Sequence, residues 1–211
     1  YVDGTKGWQD VGDSTSDVIA DTFITATGGT ITTVCTNYKV HVFDADGTFT
    51  VTGGAGAKAL ISYMVVGGGA GGSGRYAGGS GGGGFREGKA NTPTVPDSYT
   101  ASPLATTGMP MSPGSYPIVI GGGGGGAPSS PTNAEGAAGA LSSFNSIISA
   151  GGGSGGGQSA DGGNSGGSGG GGAYGPGGGC SNAIGAGNSP PVSPPQGNPG
   201  GLGFSPGSPY N

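Results

Sequence analysis

The chain has 211 residues, of which 57 are glycine and 16 proline, with 8% charged residues, a formal net charge of −5 and a pI near 4.4. Glycine plus proline at about a third of a chain reads as low complexity, yet the Glu- and Lys-rich, highly charged composition of ordinary disordered segments is missing. Lys and Arg stop at Lys89; too few cations remain to neutralise phosphates, which argues against nucleic acid as a partner, and no apolar run approaches a membrane span.

Residues 1–17 are polar, with Gly4, Gly7 and Gly12, and read as a connector to an upstream segment. Residues 18–66 read as a compact antiparallel β-module. Thr30–Thr36 is β-branched almost throughout, and Tyr38–Phe43 alternates, with Tyr38, Val40 and Val42 on one face and Lys39, His41 and Phe43 on the other. Asp44-Ala45-Asp46-Gly47 is turn chemistry, which makes Thr48–Thr52 the expected partner strand. Ala59–Val66 supplies a further strand. From 67 to 211 a short apolar run is repeatedly followed by glycine: Tyr63–Val66 by GGGAGG, Tyr116–Ile120 by GGGGGG, Phe144–Ala150 by GGGSGGG. The spacing is too irregular for a solenoid, and glycine does not recur at every third place as collagen requires. Lys89–Pro113, proline-rich and poor in glycine, reads as an inserted loop.

Glycine runs of this kind have one ordered option that suits them. A polyproline II helix has three residues per turn and no internal hydrogen bonds, so all its backbone groups point outward. Glycine versions of that helix pack side by side without obstruction, and neighbours satisfy each other's N–H and C=O groups. Ordering each residue costs roughly 1–2 kcal/mol, and more for glycine, so such helices need anchors. The interleaved strands supply them. The expected fold class is therefore mainly β and irregular, with almost no α-helix: a small N-terminal antiparallel β-module, then a glycine-rich domain of packed polyglycine II helices with short strands.

YKVHVFDADGTFTVT, YMVVGGGAGG, GGFREG, GSYPIVIGGGGGG and SFNSIISAGGGSGGG together resemble the glycine-rich C-terminal domains of tail-fibre proteins of tailed phages, notably marine phages and cyanophages. YVDGTKGWQDV resembles the end of a fibre shaft in the same proteins. The resemblance runs roughly from Tyr1 to Gly157 and departs from the family at Lys89–Pro113. It implies a homotrimeric fibre on the virion, extracellular, whose partners are other fibre or tail subunits and a host cell-surface protein or glycan. It also implies packed polyglycine II helices with variable loops at the tip. The alternative is a purely structural extracellular fibre or matrix subunit.

Motifs for catalysis are weak. GGFREGKA has the spacing of a phosphate-binding loop, but Ala90 stands where Ser or Thr would hold magnesium. G-x-S-x-G occurs at Ser80, Ser154 and Ser168, inside glycine runs, and His41 is the single histidine available as a base. Cys35 and Cys180 suit either one disulfide or two free thiols. Asp44 and Asp46 lack the remaining ligands of a calcium loop. No catalytic, cofactor-binding or metal residues are assigned, and the chain is expected not to be an enzyme. Binding remains. Aromatic residues and arginine carry much of the energy of protein contacts, and loops on a rigid scaffold present them. The receptor-binding candidates are Arg75, Tyr76, Tyr99, Met109, Met111 and Tyr174, with Phe85 and Arg86 beside them. Phe85, Tyr116 and Phe144 are better explained as hydrophobic seals on the bundle.

Overall fold

The computed structural model describes residues 2–3, 7–8, 22–34, 38–90, 100–128, 134–158, 162–174 and 183–203; Cys35, Cys180 and Tyr99 lie outside them. The described chain is strand and irregular structure with no α-helix. β1 (Val2–Asp3) and β2 (Gly7–Trp8) make a short antiparallel pair. β3 (Thr22–Thr27), β4 (Thr30–Val34), β5 (Tyr38–Val42) and β6 (Gly47–Ala55) follow. Next come a 3-10 turn at Gly56–Lys58, β7 (Leu60–Ile61), β8 (Tyr63–Val66), β9 (Phe85–Lys89), β10 (Thr106–Thr107) and β11 (Met109–Pro110). β12 (Gly114–Val119), β13 (Ser142–Phe144) and β14 (Ile147–Ser149) complete the series.

The main sheet runs β14-β13-β12-β6-β3, antiparallel throughout. β6 lies between β12 and β3, and strand alternation turns its Phe49 and Val51 inward and leaves Thr48 and Thr52 outside. Pro117 is tolerated in β12 because it stands just past the β13 ladder of Ile118 and Val119, where only its carbonyl is used, accepting from the Asn145 N–H at 3.2 Å. Around Phe49 and Val51 gather Ala26, Val65, Met111, Ile118 and Phe144. Phe144 meets Phe49 edge to face, with ring centroids 5.8 Å apart, a geometry worth about 0.5–1.5 kcal/mol beyond the area it buries.

One expected pairing is corrected. Asp44–Asp46 does bend the chain, but Thr48–Thr52 does not pair with Tyr38–Phe43. β5 pairs with β4, in the register Thr30↔Val42 to Val34↔Tyr38, and β6 pairs with β3 and β12. The bend therefore carries the chain from one sheet to another. The reason is burial: β6 holds the core's Phe49 and Val51, and both its edges are taken by strands that add to that core. The hairpin β4–β5 docks through His41, whose ring stands edge-on to Phe49 at 5.0 Å. Val40 and Val42, on the opposite face of the hairpin, are exposed. The Asp46 carboxylate accepts a hydrogen bond from the Ile120 N–H at 2.8 Å, tying the bend to the end of β12.

Past the strand ends the chain continues as extended glycine segments joined to one another at three-residue intervals. Gly68, Gly71 and Gly74 donate to Ala140, Ala137 and Ala134. Ser168, Gly171 and Tyr174 donate to Gly82, Gly79 and Tyr76, also antiparallel. Gly124 and Ala127 donate to Gly69 and Gly72, this time in parallel. A period of three towards each neighbour is the signature of the threefold helix expected for packed polyglycine II. Segment 150–157 lies innermost: its backbone bonds to 67–74, 78–84, 134–140, 162–167 and 168–174, and residues 152–157 are buried. A hydrogen bond contributes a net 0.5–1.5 kcal/mol, about what ordering a residue costs. The bundle therefore depends on the apolar sheet that grips one end of it.

Candidate functional site

The connectivity sorts the bundle's two ends. β8, β9, β12, β13 and β14 all enter or leave glycine segments at one end. The reversal Arg75–Tyr76 therefore falls at the other, and the described segment ends Ala134 and Tyr174 lie with it, bonded to Gly74 and Tyr76. A strand hairpin prolonged by a glycine hairpin can deliver its turn nowhere else.

At that far end the structure brings Arg75, Tyr76 and Tyr174 together. Tyr76 holds φ at 56°, a left-handed conformation that costs a residue with a side chain about 1–2 kcal/mol and that is kept where the surroundings enforce it. Here its carbonyl accepts from the Tyr174 N–H at 3.0 Å, and the two rings lie 5.7 Å apart. The Arg75 guanidinium sits 4.6 Å from the Tyr76 ring centre and donates through Nη2 to its hydroxyl at 2.8 Å. Arg75 thus bonds a neighbouring side chain. Tyr76 is 49% exposed, so an aromatic face with a cation on it is offered to solvent. Beside this cluster Asn164 Nδ2 donates to the Glu135 carboxylate at 2.7 Å and to Ser154 Oγ at 2.8 Å.

The other candidates lie elsewhere. Met111 is 4% exposed and belongs to the core, and Met109 packs against that core and pairs with Ile61. Their side chains fill the sheet end and are not presented at the tip. Tyr99 is outside the described residues. Phe144 is buried and Tyr116 half-buried, as seals should be, but Phe85 is 40% exposed. Phe85 and Arg86 line a cleft of about 260 Å³ near the sheet end, with Glu87, Leu104, Pro194 and Asn198 among its other walls.

The catalytic patterns acquire structural explanations. The GGFREGKA stretch is strand β9, paired with β8 on one side and β10 on the other, so it forms no loop to cradle a phosphate. Ser80 Oγ donates to the Gly71 carbonyl and accepts from the Gly155 N–H, and Ser154 is 2% exposed. The Nδ1 atom of His41 lies 2.8 Å from the Gly28 carbonyl. No group of three or more His, Cys, Asp or Glu side chains able to hold a metal occurs among the described residues.

Glu135 and Asn164 at the tip escaped sequence reasoning. A signal was present in the spacing of the non-glycine residues. Ala70 and Ser73, Ala77 and Ser80, Ala137 and Ala140, and Ala183 and Ala186 are each three apart, the period of the helix they ride on.

In comparisons with known proteins, a model of a family described as a glycine-rich domain matches residues 43–211. No curated protein and no solved structure matches the chain.

Proposed function

This chain belongs to the glycine-rich domain family, and from that premise we propose that it is the distal part of a phage tail fibre, an adhesin that attaches the virion to a host cell-surface protein or glycan. It works by binding and performs no chemistry. The observation that carries this reading is the chain reversal at one end of the bundle, where Arg75, Tyr76 and Tyr174 form an exposed cation–aromatic cluster. Short loops held on a rigid scaffold are a common way to present contact residues, and Tyr and Arg are over-represented among the residues that dominate binding energy. The resemblance of the strand–glycine junctions to phage fibre tips supports the same assignment, with the N-terminal strands facing the shaft.

The test is binding of the purified, fluorescently labelled chain to a panel of marine bacterial and cyanobacterial cells, beside a Tyr76→Ala/Tyr174→Ala variant. Saturable binding to a few strains, weakened more than tenfold in a variant whose melting temperature is unchanged, is expected. Binding by neither protein, or equal binding by both, would sink the assignment of the tip.

A further inference from the structure

Segment 121–126 is six consecutive glycines, and most of them have no reason in this chain to be glycine. A Cβ at Gly121 or Gly124 would run into the carbonyls of Ala140 or Ala137. At Gly122 and Gly125 it would meet nothing within 4 Å, and at Gly123 and Gly126 only the Gly69 and Gly72 oxygens at 3.6 and 3.7 Å, an ordinary contact. None of these four has a φ in the left-handed region. Alanine would fit each of them, and each glycine costs about 0.4–1 kcal/mol relative to it through the freedom of the unfolded chain.

The neighbouring segment 134–141, AEGAAGAL, shows what the same chain does where no such restriction holds. It keeps glycine only at Gly136 and Gly139, where a Cβ would strike the carbonyls of Gly71 and Gly68, and carries Ala, Glu or Leu at every other place. That segment thus uses side chains where there is room, and segment 121–126 does not. The bare face continues onto segment 67–74, where Gly69 and Gly72 are equally unobstructed. It is solvent-exposed, uncharged and unsatisfied: among the described residues Gly123 and Gly126 make no hydrogen bond.

We propose that this face is the open edge of the polyglycine lattice and that it pairs with the same face of a second copy of this chain. The lattice already accepts neighbours in both directions, parallel between 69–72 and 124–127 and antiparallel between 68–74 and 134–140. A two-fold-related copy therefore presents a complementary row whatever its sense. The face itself carries no charge, so the pairing brings no like charges into contact despite the net charge of −5. The bare glycines let two backbones approach to hydrogen-bonding distance, as an exposed strand edge does in a sheet.

The experiment is sedimentation velocity of the full chain over a wide concentration range, with a Gly122→Gln/Gly125→Gln variant and a Val40→Lys variant on the outer face of the β4–β5 hairpin. Concentration-dependent dimerisation is expected, with the dissociation constant raised at least tenfold by the glutamines, unchanged by the lysine, and with no fall in melting temperature for either. A wild-type chain monomeric throughout overturns the proposal. So does an assembly, dimeric or trimeric, that survives the glutamines, because it is held elsewhere. Amide protection of Gly122 and Gly125 in a monomer would show that a segment of the same chain covers the face, and also overturns it.

Discussion

The α-carbon of Gly152 lies directly against the carbonyl oxygen of Gly81, with no space between the two backbones for a methyl group. This contact belongs to the most enclosed part of the lattice. Gly152→Ala must push two buried segments apart, and overpacking of that kind costs typically 1–3 kcal/mol. Gly69→Ala, where nothing lies within 4 Å, is expected to be neutral or to stabilise by about 0.4–1 kcal/mol. Urea unfolding of the two variants checks this; equal effects would refute the close-packed lattice.

Gln196 holds the lattice to the sheet end. It is 3% exposed, its Oε1 accepts from the Ala150 N–H at 2.7 Å, and its Nε2 donates to the Pro190 carbonyl at 2.9 Å. Gln196→Ala removes a partner from two backbone groups at once. An unsatisfied buried group costs about 1–3 kcal/mol, so a loss of about 2–4 kcal/mol is expected in chemical denaturation, together with faster amide exchange at Ala150.

Ser80 bridges three segments by donating to the Gly71 carbonyl at 2.7 Å and accepting from the Gly155 N–H at 3.1 Å. Ser80→Ala and Ser80→Gly are expected to destabilise by a similar 1–2 kcal/mol, because the hydroxyl rather than the Cβ makes the link. A near-neutral alanine variant in thermal melts would contradict this.

Phe49 ties the β4–β5 hairpin to the main sheet, touching His41 on one side and Phe144 on the other. Phe49→Ala is expected to cost about 3–5 kcal/mol. Hydrogen exchange should then quicken in residues 150–157 as much as in β6, since the glycine segments contribute little stability of their own. Protection that persisted in 150–157 would show that the bundle stands without its apolar anchor.

Much of the fold class was legible because it rests on local preference. Fifty-seven glycines and sixteen prolines leave little material for helix, and the β-branched runs at Thr30–Val34 and Tyr38–Val42 became strands. The tip was legible in part. Arg75 and Tyr76 are adjacent in the chain, but the arrival of Tyr174 beside them depends on a hydrogen bond across nearly a hundred residues. Met109 and Met111 looked like surface candidates because their segment is glycine-poor; only the packing of β11 against β7 turns them to the core.

By itself, then, the sequence determined where the chain is extended, where it bends and where it carries no side chains, because these follow from the conformational freedom of each residue and its immediate neighbours. The tertiary structure alone decided that β6 joins β3 and β12 instead of β5, that Gly152 must be glycine while Gly122 need not be, and that Tyr174 arrives beside the Arg75–Tyr76 reversal. Glycine has no side chain with which to mark its neighbour. Its partners are chosen by backbone hydrogen bonds between segments far apart in the chain, and those exist only once the apolar strands have brought the segments together.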